Sequence, residues 1–185
     1  MAHTDKSENL VWIDLEMSGL DAVRDVILEV ATIITTSNLE IIETGPNIVI
    51  HQEEKLFETM DDWNKKHHTQ SGLWQKVLES KTSMEEAETL TLDFIKKHTL
   101  PNQSPLCGNT IYQDRIFLSK YFKKVDEHLH YRLIDVSTIK ELVKRWAPNG
   151  KKAPTKKGDH RALSDIIESI EELRFYRDNY INIPT

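Results

Sequence analysis

Residues 26–36 read Val-Ile-Leu-Glu-Val-Ala-Thr-Ile-Ile-Thr-Thr, a run dominated by β-branched side chains. Such side chains are stiff at χ1 and suit a pleated, packed surface better than a helix. The run therefore reads as a buried strand, and any fold for this chain has to supply a sheet around it. Its one charged residue, Glu29, interrupts the longest apolar stretch, 26–34. That stretch is far short of the ~20 residues that a membrane-spanning helix needs.

A second apolar run, Leu-Val-Trp-Ile-Asp-Leu at 10–15, reads as another short buried strand. Residues 41–50, interrupted by Thr44-Gly45-Pro46-Asn47, read as a hairpin-like continuation. Three early strands close together in sequence suggest an antiparallel meander. The chain then changes character. Residues 69–80 and 83–98 read as helices, the second opened by Ser83 with Glu86 three residues on. Residues 106–108 are a short strand, and 113–125 an amphipathic helix carrying Ile116, Phe117, Tyr121 and Val125. Residues 131–136 read as a strand, 138–146 as a helix, 147–158 as a lysine-rich loop and 161–180 as a final helix. Strands mixed with helices imply one α/β domain over residues 10–180 with a mixed sheet. A polar flexible stretch at 1–9 and a tail at 181–185 flank it.

The 185 residues suffice for a core that needs neither disulfide nor structural metal. Cys107 is the only cysteine, which excludes an internal disulfide framework and a cysteine-based zinc site. No apolar segment follows a basic start at the N-terminus, so a signal peptide is not expected and a reducing cytoplasm is. The net charge is −6, unlike a general nucleic-acid coat protein. The charge is uneven: residues 144–161 hold seven Lys/Arg against one Asp. A basic segment on an acidic protein suits a small anionic ligand better than a long duplex, although a solvated loop would look the same.

Three segments carry the chemistry. Asp14 and Glu16 lie two residues apart at the end of an apolar strand, so period 2 places them on one face. Adjacent carboxylates repel and resist burial, unless a divalent cation such as Mg²⁺ or Mn²⁺ lies between them. Two solvated acids at a strand edge are the other reading. Asp114 follows a Gly108-Asn109 turn into a helix, where it would also complement the helix dipole. His160 and Asp165 are five apart and, at 100° per residue, would not share a helix face. His160 is thus expected at the junction of the lysine loop and the last helix, where a group titrating near neutrality can act as a general base. An exposed histidine and a surface acid are the plainer reading of that pair.

Taken in order, Asp14-x-Glu16, Asp114 and His160-x4-Asp165 resemble the DEDDh 3′→5′ exonucleases. Longer strings narrow the resemblance: 14–21 (DLEMSGLD), 60–63 (MDDW), 108–111 with 113–115 (GNTI, QDR), 131–132 (YR), 135–140 (DVSTIK) and the Glu-Leu-Arg-Phe-Tyr-Arg ending at Arg177 all resemble the oligoribonucleases. The resemblance spans residues 10–180. It implies an RNase H-like fold, a five-stranded mixed sheet flanked by helices, and a cytoplasmic homodimer that hydrolyses short oligoribonucleotides, above all dinucleotides, to nucleoside 5′-monophosphates. It assigns two divalent ions, Mg²⁺ or Mn²⁺, to Asp14, Glu16, Asp114 and Asp165, and the general base to His160. Leu20 would wedge between the bases, with Trp63 close to the substrate. Thr110, Arg132 and Ser137 would cap a 5′-phosphate, with Tyr131 reaching in from the other subunit and His68 nearby. Two departures from the family's usual pattern are Ser164, where an Asp often stands, and Thr110, where Ser is also common.

Two competing readings remain at this stage. A broader DEDDh exonuclease would trim longer RNA or DNA ends, which needs many phosphate contacts and fits an acidic protein poorly. A non-catalytic nucleotide-binding module would have lost at least one of Asp14, Glu16, Asp114, His160 or Asp165, and none is missing.

Overall fold

The computed structural model describes residues 5–154 and 161–182. A five-stranded sheet runs in the order β3-β2-β1-β4-β5. β1 (Leu10–Met17), β2 (Ile27–Thr35) and β3 (Ile41–Val49) form the antiparallel meander, and β4 (Leu106–Gly108) and β5 (Leu133–Asp135) add parallel to β1 on its other side. This is the mixed, helix-flanked sheet that the resemblance implies.

Every residue of β2 is buried, as expected of a strand covered on both faces. The alternation along β1 explains why. Val11, Ile13 and Leu15 face a core shared with Phe94 and Ile95 of α4 (Met84–His98) and Phe117 and Leu118 of α5 (Tyr112–Tyr121). Leu10 and Trp12 face the opposite way, with Ala31 and Ile33, against Ile166, Ile170 and Tyr176 of α8 (Ala162–Tyr180). The Trp12 indole N–H is satisfied within this layer by the Thr35 hydroxyl at 3.0 Å. Cys107 lies in the same layer, fully buried, and burial pushes its thiol pKa up.

Five sequence expectations shift. Residues 41–49 form one continuous strand rather than a hairpin, because Gly45 and Pro46 oppose the single residue Thr32 in a bulge on the sheet's edge. An edge bulge is where a strand tolerates proline. The helix expected over 113–125 divides at Phe122 into α5 and α6 (Lys123–His128). There the buried Phe122 ring packs into the core, and the Glu88 carboxylate of α4 accepts the Lys124 N–H at 2.6 Å. Residues 55–68, given no element from sequence, hold α1 (Lys55–Thr59) and most of α2 (Asp62–Gln70). The helix expected over 69–80 starts later, as α3 (Leu73–Glu79), because Gly72 turns the chain with φ +70° between the two. Finally, β5 is only three residues long and α7 (Val136–Trp146) begins directly after it. Its N-cap is Asp135, whose carboxylate accepts the Ser137 N–H at 2.9 Å.

Candidate active site

The face of β1 that carries Leu10 and Trp12 continues with Asp14 and Glu16. Apolar packing against α8 ends there and carboxylates take over. Asp165, in the first turn of α8, comes down onto the same spot. Ligand oxygens of Asp14, Glu16 and Asp165 all lie within 4.8 Å of one another, and each residue is half-buried. Three carboxylates this close repel strongly in a poorly hydrated setting. Burial first, then the charges of Asp165 and Glu29, push the Glu16 carboxyl up to about 8, while Arg161 opposes the rise. Only hard oxygen donors meet here, the set that suits Mg²⁺ or Mn²⁺. The residues present therefore fit a divalent cation.

Asp114 stands beside this group rather than within it. One of its carboxylate oxygens accepts the Leu15 N–H at 3.0 Å, joining the first turn of α5 to the strand that bears the other acids. Burial raises its pKa to about 7, opposed by that hydrogen bond. His160 lies outside the described residues.

The base-binding candidates gather at one cavity of about 770 Å³, whose lining includes Leu20, Asp21, Arg24, Met60, Trp63 and Asn64. Leu20 and Trp63 are 72% and 65% exposed, which is costly for large apolar side chains without an occupant. Leu20 is held out from its backbone. The Asp25 carboxylate accepts from the Ser18 hydroxyl at 3.2 Å and from the Asp21 N–H at 3.0 Å. A Cβ on Gly19 would come 2.3 Å from that carboxylate, so the turn needs glycine. The Gln113 amide then donates to the Leu20 carbonyl at 2.7 Å. Trp63 stacks on His67, ring centroids 4.6 Å apart and 8° from parallel.

His68 is turned away from this cavity. It is 1% exposed, and its Nε2–H donates to the Met17 carbonyl at 2.9 Å. Burial holds its pKa below the ordinary imidazole value. It anchors α2 to the end of β1, and through α2 it seats Trp63.

The cap candidates divide. Thr110 and Ser137 come together, their hydroxyls 3.1 Å apart, over a cavity of about 440 Å³ that also borders Tyr112, Glu141 and Arg145. Thr110 has φ +54°, a left-handed conformation unfavourable for a β-branched residue. It is held there because its N–H donates to Asp135 at 3.0 Å and to Ser137 at 2.9 Å. Tyr131 and Arg132 project outward instead. Tyr131 is 74% exposed, and the Arg132 guanidinium lies 5.5 Å from its ring centroid.

Sequence reasoning passed over two residues that build the site, Gln113 and Glu29. Gln113 carries no signal beyond its neighbour Asp114. Glu29 carries one: it is a lone acid within an otherwise uncharged β-branched run.

Comparison with known proteins agrees with this geometry. Residues 11–173 match the RNase_T exonuclease family. Among curated proteins, the chain is 53% identical over 178 residues to an oligoribonuclease of Ruthia magnifica, covering 96% of this chain and 99% of that one. It is 52% identical over 176 residues to the oligoribonuclease of Pseudomonas aeruginosa (95% and 98% covered). A probable oligoribonuclease of Dictyostelium discoideum is 53% identical over 173 residues (94% and 90% covered). Among solved structures, a product-bound exonuclease I superposes with a TM-score of 0.68 at 12% identity. An exonuclease I from Methylocaldum szegediense superposes at 0.62 and 17% identity. These cover 93% of this chain but only 44% and 41% of the larger proteins, so they establish the RNase H-like fold alone. With half its residues shared over nearly the whole length of both chains, this protein belongs to the oligoribonuclease family of exonucleases.

Proposed function

We propose that the chain removes nucleotides from the 3′ end of short oligoribonucleotides, dinucleotides above all, releasing nucleoside 5′-monophosphates. The observation that carries this reading is the meeting of Asp14, Glu16 and Asp165 from two elements on one spot, with Asp114 alongside. These four would hold two divalent ions, Mg²⁺ or Mn²⁺. When bound, such ions supply charge stabilisation for the attacking and leaving oxygens of an in-line phosphoryl displacement. His160 is assigned to the proton of the attacking water on its place in the sequence, one residue before Arg161, which opens α8.

The chain's own residues account for substrate choice. Leu20 and Trp63 offer apolar surface to two bases without reading their edges, and base stacking on an aromatic ring is worth ~1–3 kcal/mol whatever the base. The Thr110 and Ser137 hydroxyls would receive a 5′-phosphate, with Arg132 supplying positive charge. The exposed Tyr131 supports a homodimer in which it completes the partner's cap. Among the described residues no helix is long and apolar enough to cross a membrane. With a single, fully buried cysteine, the cytoplasm is the proposed compartment.

The test is the Mg²⁺-dependent rate on 5′-labelled RNAs from dimer to long oligomer. A steep fall in rate with length is expected. Flat or rising rates would replace this reading with a broad 3′→5′ exonuclease.

A further inference from the structure

Glu29 is fully buried in β2 and sits directly across from Glu16 in the strand register. An unpaired carboxylate in that layer would be strongly disfavoured. Its partner arrives from the far end of the sequence. The Arg161 Nε donates to one Glu29 oxygen at 3.1 Å, and Nη2 donates to the other. A two-pronged guanidinium–carboxylate pair fixes direction as well as distance.

Arg161 is the residue from which α8 starts. The Arg161 side chain, at the N-cap, makes no capping hydrogen bond to this helix. Instead the Arg161 carbonyl accepts the Asp165 N–H at 3.1 Å, while its side chain is tied to Glu29. A continuous path thus runs from Glu16, across the strands to Glu29, through the fork to Arg161, and along the helix's first hydrogen bond to Asp165. Both ends of that path are carboxylates of the candidate metal site.

We propose that Glu29 and Arg161 are positioning residues that set the distance of Asp165 from Asp14 and Glu16. The proposal rests on those three acids forming the metal-holding group. Buried ion pairs contribute little net stability compared with apolar residues of similar shape. Geometry is what this pair supplies, because a fork of fixed direction ties the start of α8 to the neighbouring strand.

The experiment compares Glu29→Gln, Arg161→Lys and the double variant Glu29→Met/Arg161→Met with the parent protein. Four quantities are read: Tm, Mn²⁺ affinity by calorimetry, amide hydrogen exchange of the first turn of α8 without metal, and kcat against KM for a dinucleotide. Both single variants are expected to weaken Mn²⁺ binding by about 10–100-fold, to speed exchange at the Asp165 amide, and to lower kcat more than raise KM. The double variant should recover Tm but not Mn²⁺ affinity. Recovery of Mn²⁺ affinity together with Tm, or single variants that change Tm alone, would make the pair a stability element and overturn the proposal. Exchange is measured without metal, which separates the two readings. A parent protein that binds no Mn²⁺ would sink the metal assignment, and the Asp165 exchange rate would still decide the positioning role.

Discussion

The Asp114 carboxylate and the Leu15 backbone N–H are joined at 3.0 Å, so an acid of the candidate site also fastens α5 to the central strand. The two roles separate by substitution. Asp114→Asn keeps an oxygen acceptor for Leu15, so its Tm should stay near the parent value while metal affinity falls by about 10–100-fold. Asp114→Ala orphans a buried donor and should lose about 1–3 kcal/mol of stability as well. Chemical denaturation paired with metal titration checks both. Equal losses of stability in the two variants would contradict this division.

Glu16 makes the metal-free protein sensitive to pH. Its carboxyl is raised from the ordinary 4.5 to about 8, so across that window the folded chain binds more protons than the unfolded one. Stability contributed by this group therefore falls as pH rises. Glu16→Gln removes the liability, so without metal its Tm should exceed the parent's by a margin that widens from pH 4.5 to 8. Divalent metal should stabilise the parent most at the upper end of the window and release protons on binding. Thermal melts with and without Mn²⁺ check this, and a constant margin would count against it.

Thr110 holds a left-handed backbone for the sake of its contacts. Glycine adopts φ +54° without strain, so Thr110→Gly should melt no lower than the parent despite losing a side chain. The same variant should lose preference for 5′-phosphorylated over unphosphorylated dinucleotides. Competition between the two substrates measures the preference. A preserved preference would show that the hydroxyl beside Ser137 does not meet the phosphate.

Gln113 restrains Leu20 through a single amide–carbonyl bond. A bond of this kind contributes about 0.5–1.5 kcal/mol, so Gln113→Ala should raise the dinucleotide KM by roughly 2–10-fold with kcat little changed. Steady-state kinetics checks the split. A loss confined to kcat would move Gln113 from seating the substrate to supporting its neighbour Asp114.

The sheet was legible because its strands are written in β-branched runs, and the pairing of Asp14 with Glu16 follows from period 2 alone. What escaped depends on tertiary partners. The break at Phe122 comes from a ring sinking into the core and from Glu88 on another helix, neither visible in local periodicity. α2 carries mostly polar residues, and its place is set by His68 reaching Met17. At the site, sequence put Asp14, Glu16, Asp114 and Asp165 together but could not show that Asp114 spends one oxygen on Leu15. The Glu29 partner is 132 residues away, beyond any local pattern.

Cys107 gives the protein an internal reporter. The thiol lies on the sheet face covered by α8, among Trp12, Ile166 and Ile170, with its pKa raised by burial, so it is unreactive while that layer stays packed. An alkylating reagent reaches it when the helix layer that carries Asp165 separates from the sheet face of Asp14 and Glu16. Because the sequence holds one cysteine, each alkylation adds a single mass increment per chain. The rate of that increment, read by mass spectrometry with and without Mn²⁺, times the opening of the catalytic layer without any engineered label.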